Sequence, residues 1–302
     1  MKIINNAHVY RAALPSPENL ALHLQELPYQ ELSPLEMNRA SFVPNEVTRE
    51  LVTPIQEGYA FTFQFDEKII PTSAVNAKVA KAVAKIKEKE DRTVGRKERQ
   101  EIKDNVIADM CRVAFVKTTK VNILYREACR TLIVITGSKN ISDCATGALA
   151  KVAGSIKSET IHIEGLKMGL TTRLGNYFGG SGSDPFAPFH VGNFVKLKGD
   201  EGLNFSTETK GAIHEAEEGI LEAIGEGAQV ERIELEYNGC NFKLTNDFAF
   251  KAISFDVDVD ADDRGDMDAP AYWRHEAGVY MLIFVGVIDA LCKLMDYVPP
   301  EK

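Results

Sequence analysis

Aromatic residues alternate with small or polar ones along Tyr59-Ala-Phe-Thr-Phe-Gln-Phe65, a period of two that predicts a half-buried strand. Upstream, Asn6-Ala-His-Val-Tyr-Arg11 reads as a short strand, followed by a Pro/Glu-rich connection with helical pieces to about Arg39. Pro71 closes the aromatic strand and the period then changes. Val75, Val79, Val83 and Ile86 recur at helical spacing within one arc of roughly 80°, and Ser73 is placed to cap that helix. Lys78, Lys81, Lys85 and Lys89 fill a neighbouring arc of similar width. The cationic row continues through Arg92, Arg96, Lys97 and Arg99 around Gly95, before a second amphipathic segment with Ile102, Val106, Ile107 and Met110. An apolar stripe beside a row of ammonium groups, on two consecutive helices, predicts a helical hairpin with a cationic tip.

Residues 120–126 and 130–136 read as a β-hairpin joined by three residues. Ser138 can cap a helix running to about Ile156, with Ile141, Leu149 and Val152 inward, and Thr160-Ile-His-Ile-Glu164 is a further strand. Gly175 to Gly192, rich in Gly, Ser, Pro and Phe, reads as a loop. Beyond it come a strand at 192–198, a helix at about 207–224, and strands at 230–237, 240–246 and 250–257. An acidic loop and a final helix from about Ala271 to Tyr297 complete the chain. Helices placed between antiparallel hairpins, not in βαβ alternation, make the class α+β, with antiparallel sheets and a protruding basic hairpin. The expected organisation is an N-terminal body from 1–74 and 120–175, the basic hairpin at 75–119, and a C-terminal α+β part at 192–302.

Composition sets the outer bounds. The chain has 302 residues, 44% hydrophobic and 26% charged, which excludes collagen-like, coiled-coil-only and disordered classes. No apolar stretch follows Met1-Lys2, so no signal peptide is expected, and the longest uncharged apolar run, Ala277 to Ile288, is short for a bilayer span. Five scattered cysteines without a CxxC pair indicate neither a disulfide framework nor a zinc site. The expectation is a soluble cytoplasmic protein with reduced thiols. The formal charge of −9 is unevenly distributed: −4 over residues 1–77, +7 over 78–130, +3 over 131–199 and −15 over 200–302. A basic surface on an acidic body accounts for that pattern, as does a solvated helix face with excess Lys.

Candidate catalytic chemistry is thin. The run from Asp256 to Asp268 has Ala261 and Met267 where a calcium EF-hand needs Gly and Glu, and one contiguous acidic run is more often a solvated turn. Gly179-Gly-Ser-Gly-Ser-Asp-Pro185 lacks the GK[ST] ending of a P-loop, and the six histidines, including His162 in its strand, show no HExxH or HxH spacing. No catalytic residue, metal or cofactor is indicated. The basic hairpin is the strongest signal, because Lys and Arg that neutralise phosphates give sequence-independent, salt-sensitive affinity. Two rival readings remain: a metal-dependent exonuclease using Asp256, Asp258, Asp260 or Asp262, and a protein–protein module using the acidic C-terminal part.

The chain resembles the recombination-associated RdgC family of bacteria and phages. The likeness runs through Asn6-Ala-His-Val-Tyr-Arg11, Ser41-Phe-Val-Pro44, Asp66-Glu-Lys-Ile-Ile-Pro71 with its Lys-rich helix, Ile102-Lys-Asp-Asn-Val106 and Arg112-Val-Ala-Phe115. It continues in the hairpin at 120–136, the Ser138 helix and the terminal helix after an acidic loop, covering nearly the whole chain apart from about 12–40 and 175–230. The resemblance implies a homodimer closing into a ring, acidic outside and basic inside, through which double-stranded DNA passes. It also implies a nucleoid-associated role limiting RecA-type recombinase action, the recombinase being met only indirectly; single-stranded DNA is a second possible ligand. Phosphate contacts are then expected from Lys78, Lys81, Lys85, Arg92, Lys97, Arg112 and Lys117, with Arg96 and Arg99 in the same row. Lys196 and Lys198 match a basic pair in the family's later half. Phe115 either ends its helix in the core or, as the resemblance implies, lies near the intersubunit contact.

Overall fold

The computed structural model describes residues 4–153, 158–160, 166–180, 182–199, 206–209, 211–256 and 267–297. In chain order the first elements are β1 (Ala7–Ala12), α1 (Pro17–Glu26), β2 (Asn38–Val43), β3 (Val52–Ile55), β4 (Gly58–Lys68), α2 (Thr72–Glu90) and α3 (Arg96–Val113). Then follow β5 (Val116–Arg126), β6 (Thr131–Val134), α4 (Lys139–Val152), β7 (Ser158–Thr160), α5 (Leu166–Gly179), β8 (His190–Gly199) and β9 (Ser206–Glu208). A 3-10 turn at Ile213–Ala216 leads to α6 (Glu217–Gly225), β10 (Ala228–Tyr237), β11 (Cys240–Thr245), β12 (Ala249–Phe255) and α7 (Ala269–Leu294). The class is α+β, as the pattern predicts.

The chain divides into two compact units. Unit 1 comprises Met1–Glu26, Pro44–Thr62 and Val121–Lys302. Its strands lie in the order β4-β5-β6-β1-β12-β11-β10-β8-β9, the first two by their halves in this unit, with β3 also against β4 and β7 against β1. The registers are antiparallel; on β1, His8 stands opposite Val134 of β6 and Ala249 of β12. The N-terminal strand is therefore flanked by strands from the middle and the end of the chain. α7 packs against this core, burying Trp273, Ala277, Met281, Phe284, Ile288 and Leu291 among others. Phe284 meets Phe250 edge-on at 4.9 Å, and Tyr280 stacks on Phe255 at 4.6 Å. Gly278 lies so close to Gln56 that a Cβ there would stand 2.9 Å from the Gln56 Cβ. By length and hydropathy α7 is long and apolar enough to cross a membrane, although its longest uncharged run is short. Half of its most apolar window is buried inside this unit, as in a core helix.

Unit 2 comprises Leu27–Val43 and Phe63–Lys120. Its strands, β2 and the adjoining halves of β4 and β5, lie in the order β2-β4-β5 and carry the helical pair α2/α3. The core is small: Phe42, Val43, Phe63 and Phe65 from the strands, Val75 and Val79 from α2, and Cys111 from α3. Phe42 and Phe63 meet edge-on at 5.6 Å.

Several local expectations change. Tyr59–Phe65 is buried on both faces, not one. Its polar positions are satisfied inside the protein: Thr62 donates to the Asn122 side chain at 2.9 Å, and Gln64 donates to Asp66. The cap of α2 is Pro71, whose carbonyl accepts from Ala74 and Val75, and Ser73 falls inside the first turn. Ser138 does cap α4 through the Ile141 N–H. The β5–β6 connection is a four-residue turn closing on Arg130 at φ 53°. The supposed Gly-rich loop begins inside α5, where Leu166, Leu170 and Leu174 recur every fourth residue and are buried. The helix expected near 207–224 resolves into β9, the 3-10 turn and the shorter α6. His162, Asp258, Asp260 and Asp262 lie outside the described residues.

Candidate nucleic-acid interface

The base of the helical pair is built in unit 2 from hydrogen bonds between the strand that precedes it and the strand that follows it. Asp66 is 2% exposed and accepts from Gln64 Nε2 at 2.9 and 3.2 Å and from Thr118 Oγ1 at 2.6 Å. The Ile69 N–H donates to the Phe115 carbonyl at 2.9 Å, and the Lys68 N–H donates to Met37 O at 2.8 Å. Lys68 Nζ is occupied by the Ser33 and Pro34 carbonyls. α2 therefore leaves a fixed edge. It ends at Asp91 in the left-handed region (φ 43°), and Gly95 starts α3.

The two faces of α2 separate as their spacing dictates. Val75 and Val79 are buried, and Val83 and Ile86 are half-buried. Lys78, Lys81, Lys85 and Lys89 are exposed. At 1.5 Å per residue the row from Lys78 to Lys89 extends about 16 Å. From Thr72 to Lys87 the helix has four lysines (78, 81, 85 and 87) and no Asp or Glu. Unit 2 holds fifteen Lys and Arg against eleven Asp and Glu, a net +4; unit 1 holds twenty against thirty-three, a net −13.

The expected phosphate contacts fall into two groups. Lys78, Lys81, Lys85, Arg96, Lys97 and Arg99 are exposed and make no salt bridge among the described residues. Arg92, at the tip, is held by Glu90 at 2.6 Å and by both carboxylate oxygens of Glu98 at 2.6 and 2.7 Å. These hydrogen bonds push the Arg92 guanidinium pKa up and hold the Glu98 carboxyl below the ordinary carboxylate range. Arg112 pairs with Asp109 at 3.0 Å and Lys117 with Glu67 at 2.9 Å. Lys196 and Lys198 belong to β8 of unit 1; Lys196 pairs with Glu231 at 3.1 Å, whereas Lys198 is exposed. A side chain already holding a carboxylate exchanges one anion for another when it meets phosphate, so the unpaired group has the greater net attraction.

Phe115 is 85% exposed and so does not end its helix in a core. Ile69, Val113 and Val116 are exposed near it in sequence or by hydrogen bonding, Val113 at 80%. Sequence reading singled out Phe115 alone; Val113 continues the spacing of the apolar stripe of α3, so its exposure carries no signal in the pattern. Lys87 was likewise passed over, being off the arc of the other lysines, although it is exposed on the acid-free segment.

Among the described residues, no three His, Cys, Asp or Glu side chains are grouped as a metal site requires. Of the acidic run, Asp256 is described and accepts from Asn241 Nδ2 at 3.1 Å.

Comparisons with known proteins agree with one another. The proteins named "Recombination-associated protein RdgC" from Shewanella sediminis and Neisseria gonorrhoeae (strain FA 1090) are each 24% identical to this chain. The first match spans 96% of both chains and the second 84% of both. The protein of that name from Janthinobacterium sp. (strain Marseille) is 27% identical over 52% of this chain and 54% of its own length. The family model described as "Putative exonuclease, RdgC" matches residues 3–297, a span that takes in both units and the whole helical pair, so this chain belongs to the RdgC family.

Proposed function

We propose that this protein binds double-stranded DNA without sequence preference through the α2/α3 pair and acts in homologous recombination by occupying that DNA. The observation that carries the reading is the exposed, acid-free lysine row of α2, without salt bridges among the described residues and continued by Arg96, Lys97 and Arg99 on α3. Charges in a row along a helix suit backbone tracking, because phosphates carry the affinity and no base edge need be reached. The net +4 of unit 2 beside a net −13 for unit 1 supports a basic surface confined to one part of an acidic protein. As the family resemblance implies, two copies associate through the apolar surface around Phe115 and close into a ring on the duplex, limiting access of a RecA-type recombinase. A cytoplasmic, nucleoid-associated location follows from that role.

The test is fluorescence anisotropy on duplex DNA of unrelated sequences across a salt series, with and without Mg²⁺, followed by inspection of the DNA. Sequence-indifferent binding with a steep salt slope and intact DNA is expected. Changing Lys78, Lys81, Lys85 and Lys97 together to Ala should reduce the slope by up to about 4. An unchanged slope removes the helical pair from the DNA site, and Mg²⁺-dependent loss of DNA turns the reading to the exonuclease named in the family description.

A further inference from the structure

Unit 1 contains a cavity of about 310 Å³ that the proposed DNA contacts do not use. Its lining includes His8 of β1, Lys139 at the start of α4, Glu231 and Arg232 of β10, Asp247 in the β11–β12 turn, and Lys251 of β12. His8 is 7% exposed, yet its Nε2 has no hydrogen-bond partner among the described residues. The buried Nε of Arg232 has none either, and this guanidinium makes no ion pair there. A buried polar nitrogen left unpaired is costly and uncommon in folded proteins, and two of them line one cavity, together with the buried Glu231 Oε2, which makes no hydrogen bond and is balanced by the ion pair to Lys196.

The charges around the cavity are incompletely balanced. Glu231 is paired with Lys196, and Asp247 accepts from the Thr245 hydroxyl. Lys139 pairs with Asp143 at 3.4 Å, and Lys251 donates to the Gly137 carbonyl. Burial and then the charges of Lys251 and Lys139 oppose protonation of His8, with Asp247 and Asp143 acting the other way; Lys251 is attracted by Asp247 and, to a smaller extent, repelled by Arg232. Gly137 and Lys139 bring the N-terminal end of α4 to the rim, and that end carries partial positive charge. An anion with several acceptor oxygens would meet the unpaired His8 and Arg232 nitrogens together and relieve the repulsion between the cations.

We infer that this cavity binds a phosphate group, as inorganic phosphate or as a phosphate monoester, with His8 Nε2, Arg232 and Lys251 as donors and Lys139 at its mouth. The volume exceeds the need of a lone phosphate and leaves room for a small ester substituent. The inference is independent of the lysine row on α2, which belongs to the other unit.

Calorimetric titration of the full chain with sodium phosphate at constant ionic strength provides the test. One phosphate per chain is expected, weakened about tenfold by Arg232→Gln, which removes a charged hydrogen bond, and by a smaller factor of about three by Lys139→Gln. Competition then identifies the source. Displacement by a 5′-phosphorylated but not a 5′-hydroxyl oligonucleotide assigns the site to a DNA end, and displacement by neither assigns it to a free phosphate compound; both support the proposal. No saturable phosphate binding overturns it, as does an Arg232→Gln protein with a native circular dichroism spectrum and unchanged affinity. Should Arg232→Gln not fold, the exposed Lys139→Gln decides: unchanged affinity there overturns the proposal. The Lys78, Lys81, Lys85 and Lys97→Ala protein should bind phosphate as the parent does, so the two sites fail separately.

Discussion

Thr118 Oγ1 lies 2.6 Å from Asp66 Oδ1, a bond spanning 52 residues of sequence and joining the strand that launches the helical pair to the one that receives it. The same carboxylate accepts twice from Gln64, so one buried acid organises three polar contacts at the root of α2 and α3. Thr118→Val should destabilise unit 2 by about 1–2 kcal/mol, and Asp66→Ala, which removes the acceptor of both Thr118 and Gln64, by about 3 kcal/mol. Denaturant melts followed by amide exchange in α2 and α3 would measure both. An Asp66→Ala protein as stable as the parent would remove this network from the account.

Arg92 and Lys81 make a second contrast. Both are exposed cations of the same helical pair, but Arg92 is held by Glu90 and Glu98 whereas Lys81 makes no salt bridge among the described residues. If each phosphate contact contributes about 0.9 to the salt slope, Lys81→Ala should lower it by nearly that amount and Arg92→Ala by less than half as much. Equal effects would mean that DNA breaks the Arg92 ion pairs on binding.

The exposed ring of Phe115 allows the proposed subunit contact to be tested apart from folding. At concentrations low enough for the parent to be monomeric, Phe115→Ser should leave the melting temperature within about 2 °C of the parent, since a surface change far from the core moves stability by only about 0.5 kcal/mol. At higher, micromolar concentration, light scattering after gel filtration should show the proposed dimer for the parent and monomer for the variant. A Phe115→Ser dimer of unchanged affinity would place the subunit contact elsewhere.

His8 gives stability a pH dependence of definite sign. Burial is the main cause lowering its pKa below 6.5, followed by the charges of Lys251 and Lys139. The unfolded chain thus takes up its proton at a higher pH than the folded one. The stability contributed by neutral His8 is fully present above pH 6.5 and declines as pH falls below it, levelling off below the folded-state pKa. His8→Gln should flatten that part of the stability-versus-pH curve; an identical slope in parent and variant would assign the dependence to other groups.

Thiol reactivity should divide the cysteines. Burial pushes Cys240 up to about 12 and Cys292 up to about 11, while Cys129 and Cys144 are only half-buried. Iodoacetamide at pH 8 should therefore modify Cys129 and Cys144 in the native protein and reach Cys240 and Cys292 only in urea. Mass spectrometry after a short pulse reads the pattern directly, and early modification of Cys240 would contradict its burial.

What could be read from sequence depended on whether a pattern had one cause. In α2 the apolar stripe and the lysine row were separable because valines and lysines recur at fixed offsets, and the structure buries the first valines and exposes the lysines. Tyr59–Phe65 looked half-buried because Thr62 and Gln64 are polar; their partners, Asn122 and Asp66, decide that the second face is closed. α5 was hidden by its glycines, although Leu166, Leu170 and Leu174 already carried helical spacing. The tip of the helical pair was read from charge alone. Counting Arg92 as a free cation overlooked that Glu90 and Glu98 are within reach of its guanidinium once the chain turns at Asp91.

The partition of charge between the units also governs how the protein meets charged matter other than DNA. A sequence isoelectric point near 5.3 averages a unit of net +4 with one of −13, and so describes neither surface. At neutral pH the molecule has a patch for each type of ion-exchange resin, with retention on the cationic resin set by unit 1 and on the anionic resin by the exposed α2 lysines. Heparin and other polyanions fall in the second class, and their salt of release reports on one helix, not on the net charge of the chain.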